Sequence, residues 1–182
     1  MTNSAQSPRD TVTIRQATEA DATLLSRLAA RLFEETFGPL NDPADMHAYV
    51  SHAFSIEAER AALRDADCAV WIVEDTTSSA MGYAMLRRGS TASGVVAKRP
   101  AELQRIYVDR GLHGLGVGDA LMRTCAEHAT GWQCDVLWLG VWEHNPRAIA
   151  FYQKAGFRVV GRQSFQLGSD LQRDFVMARP LD

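Results

Sequence analysis

The sequence predicts a single α/β domain, and three observations carry that reading. A length of 182 residues with 46% hydrophobic content buries one substantial core and leaves too little chain for two comfortable domains. Helical-period and strand-like apolar segments are interleaved from one end to the other. Glycine, proline and Asn/Asp signals fall between those segments rather than inside them.

In chain order, residues 11–16 (Thr-Val-Thr-Ile-Arg-Gln) alternate polar and apolar, which predicts a short edge strand with one buried face. Thr18 is placed as an N-cap with Asp21 three positions on, and Leu24, Leu25, Leu28, Leu32 and Phe33 recur at helical spacing up to Gly38-Pro39. Asp42 followed by Pro43 opens a second helix carrying Met46, Tyr49, Val50 and Phe54, and an amphipathic piece follows over residues 56–63. Residues 68–73 and 81–86 are β-rich and flank the Thr76-Thr77-Ser78-Ser79 turn, which predicts a hairpin. After a polar loop at residues 90–98, residues 102–108 read as a strand leading into closely spaced glycines. The next helix carries Val117, Leu121, Cys125 and His128, with Gly131 placed to end it. Residues 136–141 are continuously apolar, as in a central strand buried on both faces. Asn145 as N-cap, Pro146 at N1 and Gly156 as a left-handed terminator bound the last helix, and two strands joined at Gly168-Ser169 close the chain.

The bulk numbers exclude several classes of function. A net charge of −3 and a pI near 5.9 give no general attraction to nucleic acid or anionic membrane, which leaves a small or locally recognised partner. Cys68, Cys125 and Cys134 are odd in number and unpaired in spacing, which argues against a disulfide framework and for a reducing cytoplasm. No metal site is expected, because His47, His52, His128 and His144 lack ligand spacing. No stretch approaches 18 apolar residues and residues 1–10 lack an apolar signal core, so the chain is expected to be neither exported nor embedded. Residues 1–10 are expected to form a disordered tail ahead of one domain at residues 11–182.

The run His113-Gly114-Leu115-Gly116-Val117-Gly118-Asp119 sits between the strand at 102–108 and a helix. That order offers bare backbone N–H groups and a positive helix end to a phosphate. A nucleotide P-loop needs Gly-Lys-Ser/Thr, and this chain has Gly118-Asp119-Ala120. A Rossmann loop would follow the first strand of its unit with different glycine spacing.

The run resembles the Arg/Gln-x-x-Gly-x-Gly/Ala signature of the GNAT superfamily of acetyltransferases, with His113 at the Arg/Gln position. Residues 145–157, Asn-Pro-Arg-Ala-Ile-Ala-Phe-Tyr-Gln-Lys-Ala-Gly-Phe, are similar to the family's second signature. More loosely, residues 33–37, Tyr49-Val50, Phe54-Ser55 and residues 139–143 resemble the PaiA-like polyamine acetyltransferase branch. The resemblance implies a mixed, mostly antiparallel twisted sheet of six to seven strands flanked by about four helices. It implies acetyl-CoA as cosubstrate, held by Ile106, Tyr107 and Val108, by residues 113–119 and by Asn145, with Tyr152 protonating the departing thiolate. Glu102 lies six residues before Val108, where histone-acetylating members carry a catalytic glutamate. Gly140 stands where N-terminal acetyltransferases carry theirs.

Glu34, Glu35 and Asp45 are placed by analogy near the acceptor groove, where they would attract a cationic amine. Trp138 and Trp142 are read as packing residues. The implied reaction is direct attack by a primary amine of a small molecule, such as a polyamine, in a ternary complex. A protein lysine or N-terminal acceptor, or a non-catalytic acyl-CoA sensor, are the alternatives. Dimers are common in the family, and the sequence does not fix the oligomeric state.

Overall fold

The computed structural model describes residues 12–181, and the expected N-terminal tail lies outside the described residues. Strands β1 (Val12–Gln16), β2 (Cys68–Asp75), β3 (Ala80–Arg88), β4 (Pro100–Val108), β5 (Val136–Trp142), β6 (Arg158–Leu167) and β7 (Asp170–Pro180) form one sheet. Its order is β1-β2-β3-β4-β5-β7-β6, antiparallel throughout except between β4 and β5. Helices α1 (Ala22–Phe37), α2 (Pro43–Ala53), α3 (Ile56–Arg64), α4 (Val117–Gly131) and α5 (Pro146–Lys154) make five among the described residues, one more than expected.

The sheet separates two cores because successive side chains of its central strands point to opposite faces. On β3, Ala84 and Leu86 join Leu121, Cys125, Leu137 and Phe157 beneath α4 and α5. Tyr83 and Met85 join Leu25, Leu28, Phe33 and Phe54 beneath α1 to α3. This two-sided burial explains why β2 reads as an unbroken apolar run, with residues 69–73 all buried.

Helix ends follow the sequence signals with two corrections. Asp42, Ser55 and Asn145 each accept a first-turn N–H through the side chain. At Thr18, however, a short 3₁₀ turn (Glu19–Asp21) intervenes before α1, and Asp21 accepts from the Thr18 N–H at 2.8 Å. Asp21 also pairs with Arg15 of β1, whose guanidinium reaches Glu74 of β2, so its carboxylate serves the sheet as well as the turn. At the end of α4 the left-handed residue is Gln133 (φ 60°) rather than Gly131, whereas Gly156 (φ 90°) closes α5 as expected.

The feature that positions the site is a short parallel pairing. Only Pro100, Ala101 and Glu102 of β4 pair with Val136, Leu137 and Trp138 of β5. Opposite β3, Met85 aligns with Arg105 and Leu86 with Leu103, so Gln104 is an extra residue, a β-bulge that bends β4. Beyond it β4 stays paired with β3 and β5 with β7, and the two central strands have no pairing to each other.

Candidate active site

Where β4 and β5 part, a cavity of about 1320 Å³ opens, lined by residues from both faces of the sheet. Its walls are Glu102, Ile106, Tyr107 and Val108 from β4 and Gly140, Val141 and Trp142 from β5. On the α4–α5 side it is lined by His113, Gly114, Leu115, Gly116, Gly118, Asp119, Asn145 and Tyr152. On the α1–α2 side it meets Phe33, Phe37, Tyr49, Phe165 and Asp174.

The α4 end is built for an anion. Gly114 (φ 81°) and Gly116 (φ 79°) adopt left-handed conformations that glycine alone takes without strain. Gly116 is the N-cap of α4 and supplies no side-chain cap, unlike the caps of α2, α3 and α5. The first turn's N–H groups, at Val117, Gly118 and Asp119, precede the first backbone bond, from the Ala120 N–H to the Gly116 carbonyl. Free N–H groups and the positive end of the helix dipole converge on that wall of the cavity.

His113 does not face the anion position as a free cation. Its Nε2 lies 2.8 Å from the Val108 carbonyl, and since a carbonyl only accepts, the ring donates and fastens the loop to the end of β4. Asn145 spends its side-chain oxygen on the Ala148 N–H.

Tyr152 projects from α5 with 9% of its surface exposed. Burial raises its pKa above the ordinary phenol value, and no charge or hydrogen bond opposes the rise, so the hydroxyl stays protonated at neutral pH. Glu102 lies on β4 next to the bulge, accepting from Gln104 Nε2 at a long 3.4 Å. Tyr107 stacks on Tyr83 with ring centroids 5.7 Å apart, so its side chain is core on one face and cavity wall on the other.

Three sequence expectations need correction. The Val117 side chain is 3% exposed in the core beneath α4 and does not line the cavity, so only its backbone belongs to the site. Asp45 is committed elsewhere, accepting from Ser169 N and Oγ to hold the β6–β7 turn. Glu34 is absent from the cavity wall, and Glu35, which is on it, pairs with Arg31 at 3.0 Å. Trp138 packs as expected, donating to the Ser90 carbonyl, and Trp142 packs on Phe37 at the cavity wall.

Sequence reasoning missed Asp174, Gln163 and Arg147, all on the cavity wall. Asp174 is 8% exposed on β7, and burial pushes its pKa up to about 6, with the charge of Glu143 adding to the rise and the Gln163 amide opposing it.

Residues 27–157 match the model of the Acetyltransferase (GNAT) family. The chain belongs to that family. As a GNAT protein it is an acyltransferase, and the seven-stranded sheet with its parted β4 and β5 is the GNAT fold. An uncharacterized N-acetyltransferase of Mycobacterium tuberculosis is 34% identical over 161 residues, which is 88% of this chain and 98% of the relative. A spermine/spermidine N(1)-acetyltransferase of Bacillus subtilis is 31% identical over 64 residues, covering 35% of this chain and 42% of that protein. Among solved structures, the PaiA N-acetyltransferase of Thermoplasma acidophilum in complex with coenzyme A aligns with a TM-score of 0.73 at 18% identity, over 93% of this chain and 98% of that one. No described helix of this GNAT protein is long and apolar enough to cross a membrane.

Proposed function

We propose that this GNAT acyltransferase moves an acetyl group from acetyl-CoA to a primary amine of a small polycation, a polyamine being the best candidate, by direct attack in a ternary complex. The cavity at the gap between β4 and β5 carries this reading, because it is lined from both faces of the sheet and so offers each substrate its own face. The donor fits the α4–α5 side: the uncapped α4 N-terminus suits a pyrophosphate, and the edge of β4 at Ile106, Tyr107 and Val108, which β5 leaves unpaired and which His113 meets only at the Val108 carbonyl, suits the amides of the pantetheine arm. The acceptor fits the α1–α2 side, where aromatic rings and the carboxyl groups of Glu102 and Asp174 suit an alkyl ammonium. Partial similarity to a spermine/spermidine acetyltransferase supports the choice of acceptor. The three free cysteines support a reducing compartment, the cytosol.

In this reading a carboxylate of the cavity, Glu102 or Asp174, takes a proton from the amine, the lone pair on nitrogen attacks the thioester carbon, and the carbon–sulfur bond breaks with its electron pair on sulfur. Tyr152 then protonates the thiolate.

Release of CoA thiol measured across polyamines, short monoamines and lysine-containing peptides tests the acceptor. Polyamines should give the highest kcat/KM. Release with peptides alone would move the acceptor to protein lysine, and silence with every amine would overturn transfer itself.

A further inference from the structure

We infer that Asp174 is a catalytic residue: its carboxylate receives the ammonium group of the acceptor and takes the proton that must leave before nitrogen can attack. The inference deepens the proposed amine acetylation and rests on it.

The placement comes from strand register. Asp174 of β7 lies opposite Trp142 of β5, and Val176 opposite Gly140, so these four residues share one face of the sheet. Trp142 packs on Phe37 of α1, which identifies that face as the acceptor side. Gly140 is what lets the carboxylate reach the cavity. A Cβ added there would come within 2.6 Å of Gln163 Nε2 and 3.3 Å of Asp174 Oδ2, so even alanine would push the Gln163 amide aside and crowd the carboxylate that overhangs β5. A carboxylate from the neighbouring strand thus occupies the space above the bare Gly140 backbone.

The surroundings leave Asp174 in need of a cation. Its Oδ1 is buried with no hydrogen-bond partner among the described residues. Gln163 on β6 faces it as a neutral amide, and Glu143 adds a like charge from beyond the end of β5, itself engaged by Arg173 at 3.0 Å. His144 lies 3.8 Å from the same Glu143, and Tyr49 on α2 feels the Asp174 charge from the other side of the chamber. No Lys or Arg acts on Asp174 among the described residues. A buried carboxylate with an open lone pair and no counter-ion is destabilised until a ligand brings positive charge, and an alkyl ammonium at the parted strands supplies it.

The protons balance. The ammonium gives one proton to Asp174, which passes it to solvent as the group returns to its charged form. The freed lone pair forms the nitrogen–carbon bond, the carbon–sulfur bond breaks toward sulfur, and the Tyr152 hydroxyl protonates the thiolate. The surplus proton on nitrogen restores the phenol by way of water. The sum is ammonium plus thioester giving amide, thiol and one released proton.

Asp174→Asn keeps the shape and removes the charge. With whichever amine the wild type acetylates best, the substitution should lower kcat/KM by about 10²-fold and leave the dissociation constant for acetyl-CoA unchanged by calorimetry. The wild-type kcat/KM profile should show an acid limb near pH 6 that the variant lacks, and a carboxyl resonance of the free protein should titrate in that range by carbon NMR and vanish in the variant. A variant that folds, binds acetyl-CoA and keeps kcat/KM within about twofold of wild type overturns the assignment. Inactivity of the wild type on every amine would instead reject the underlying acetylation.

Discussion

Replacing Tyr152 by phenylalanine is expected to lower kcat by about 10²–10⁴-fold, the range of a lost general acid, with acetyl-CoA affinity and melting temperature close to wild type. Tyr152 lies in the cavity wall, burial raises its pKa, and no group among the described residues depends on its hydroxyl for a hydrogen bond. Its proton is therefore held across the neutral range and available only to a strong base. A thiolate expelled beside it is such a base once the bound substrates enclose it, because burial raises thiol pKa as well: the Cys125 thiol of this protein's own core is pushed to about 12 by burial alone. Donor and acceptor then match closely enough for transfer, which neither group would achieve against bulk water. Steady-state kinetics beside calorimetry check this, and an unchanged kcat would leave Tyr152 as a packing residue of α5.

The largest stability effect is expected at Glu59, which has no part in the sequence's catalytic pattern. Glu59 is 1% exposed on α3 and accepts from Arg105 of β4 at 2.6 Å. Arg105 also donates to the Ala53 carbonyl and lies over the Phe54 ring, 4.6 Å from its centroid. Burial raises the Glu59 pKa more than Arg105 lowers it, whereas the Arg105 pKa is raised because the charges of Tyr83 and Glu59 outweigh its burial, so within the pair each charge is tolerated through its partner. Breaking it is another matter. Glu59→Ala leaves the guanidinium enclosed without its counter-ion, at a cost of about 3 kcal/mol, which for a domain of this size is a fall of about 6–12 °C in melting temperature. Glu59→Gln retains an acceptor and should lose less than half as much. Thermal denaturation of the two variants decides the point, with equal losses contradicting it. Since Arg105 follows the Gln104 bulge and lines the cavity, the pair also fixes β4 where it leaves β5.

Local signals made much of this legible. Asn145-Pro146 and Gly156 bound α5 in sequence because capping and left-handed termination are decided within a few residues. The glycines at 114 and 116 announced backbone exposure for the same reason. What escaped was set by partners distant in sequence. The Gln104 bulge exists only in the pairing of β4 with β3, and nothing in residues 100–108 marks it. Asp174 sits in an alternating strand where a carboxylate ordinarily faces water; it is buried because β5 and β6 flank it and Gly140 leaves room for it. Asp45 failed as an acceptor-site residue because a turn 124 residues away claims its oxygens.

The central claim is that donor and acceptor occupy opposite sides of the sheet at once and react through the gap between β4 and β5. Initial rates with acetyl-CoA and amine both varied test it most directly. Double-reciprocal lines that intersect, with no acetylated protein detected by mass spectrometry after incubation with acetyl-CoA alone, are the predicted result. Parallel lines together with a stable acetyl-enzyme would contradict it.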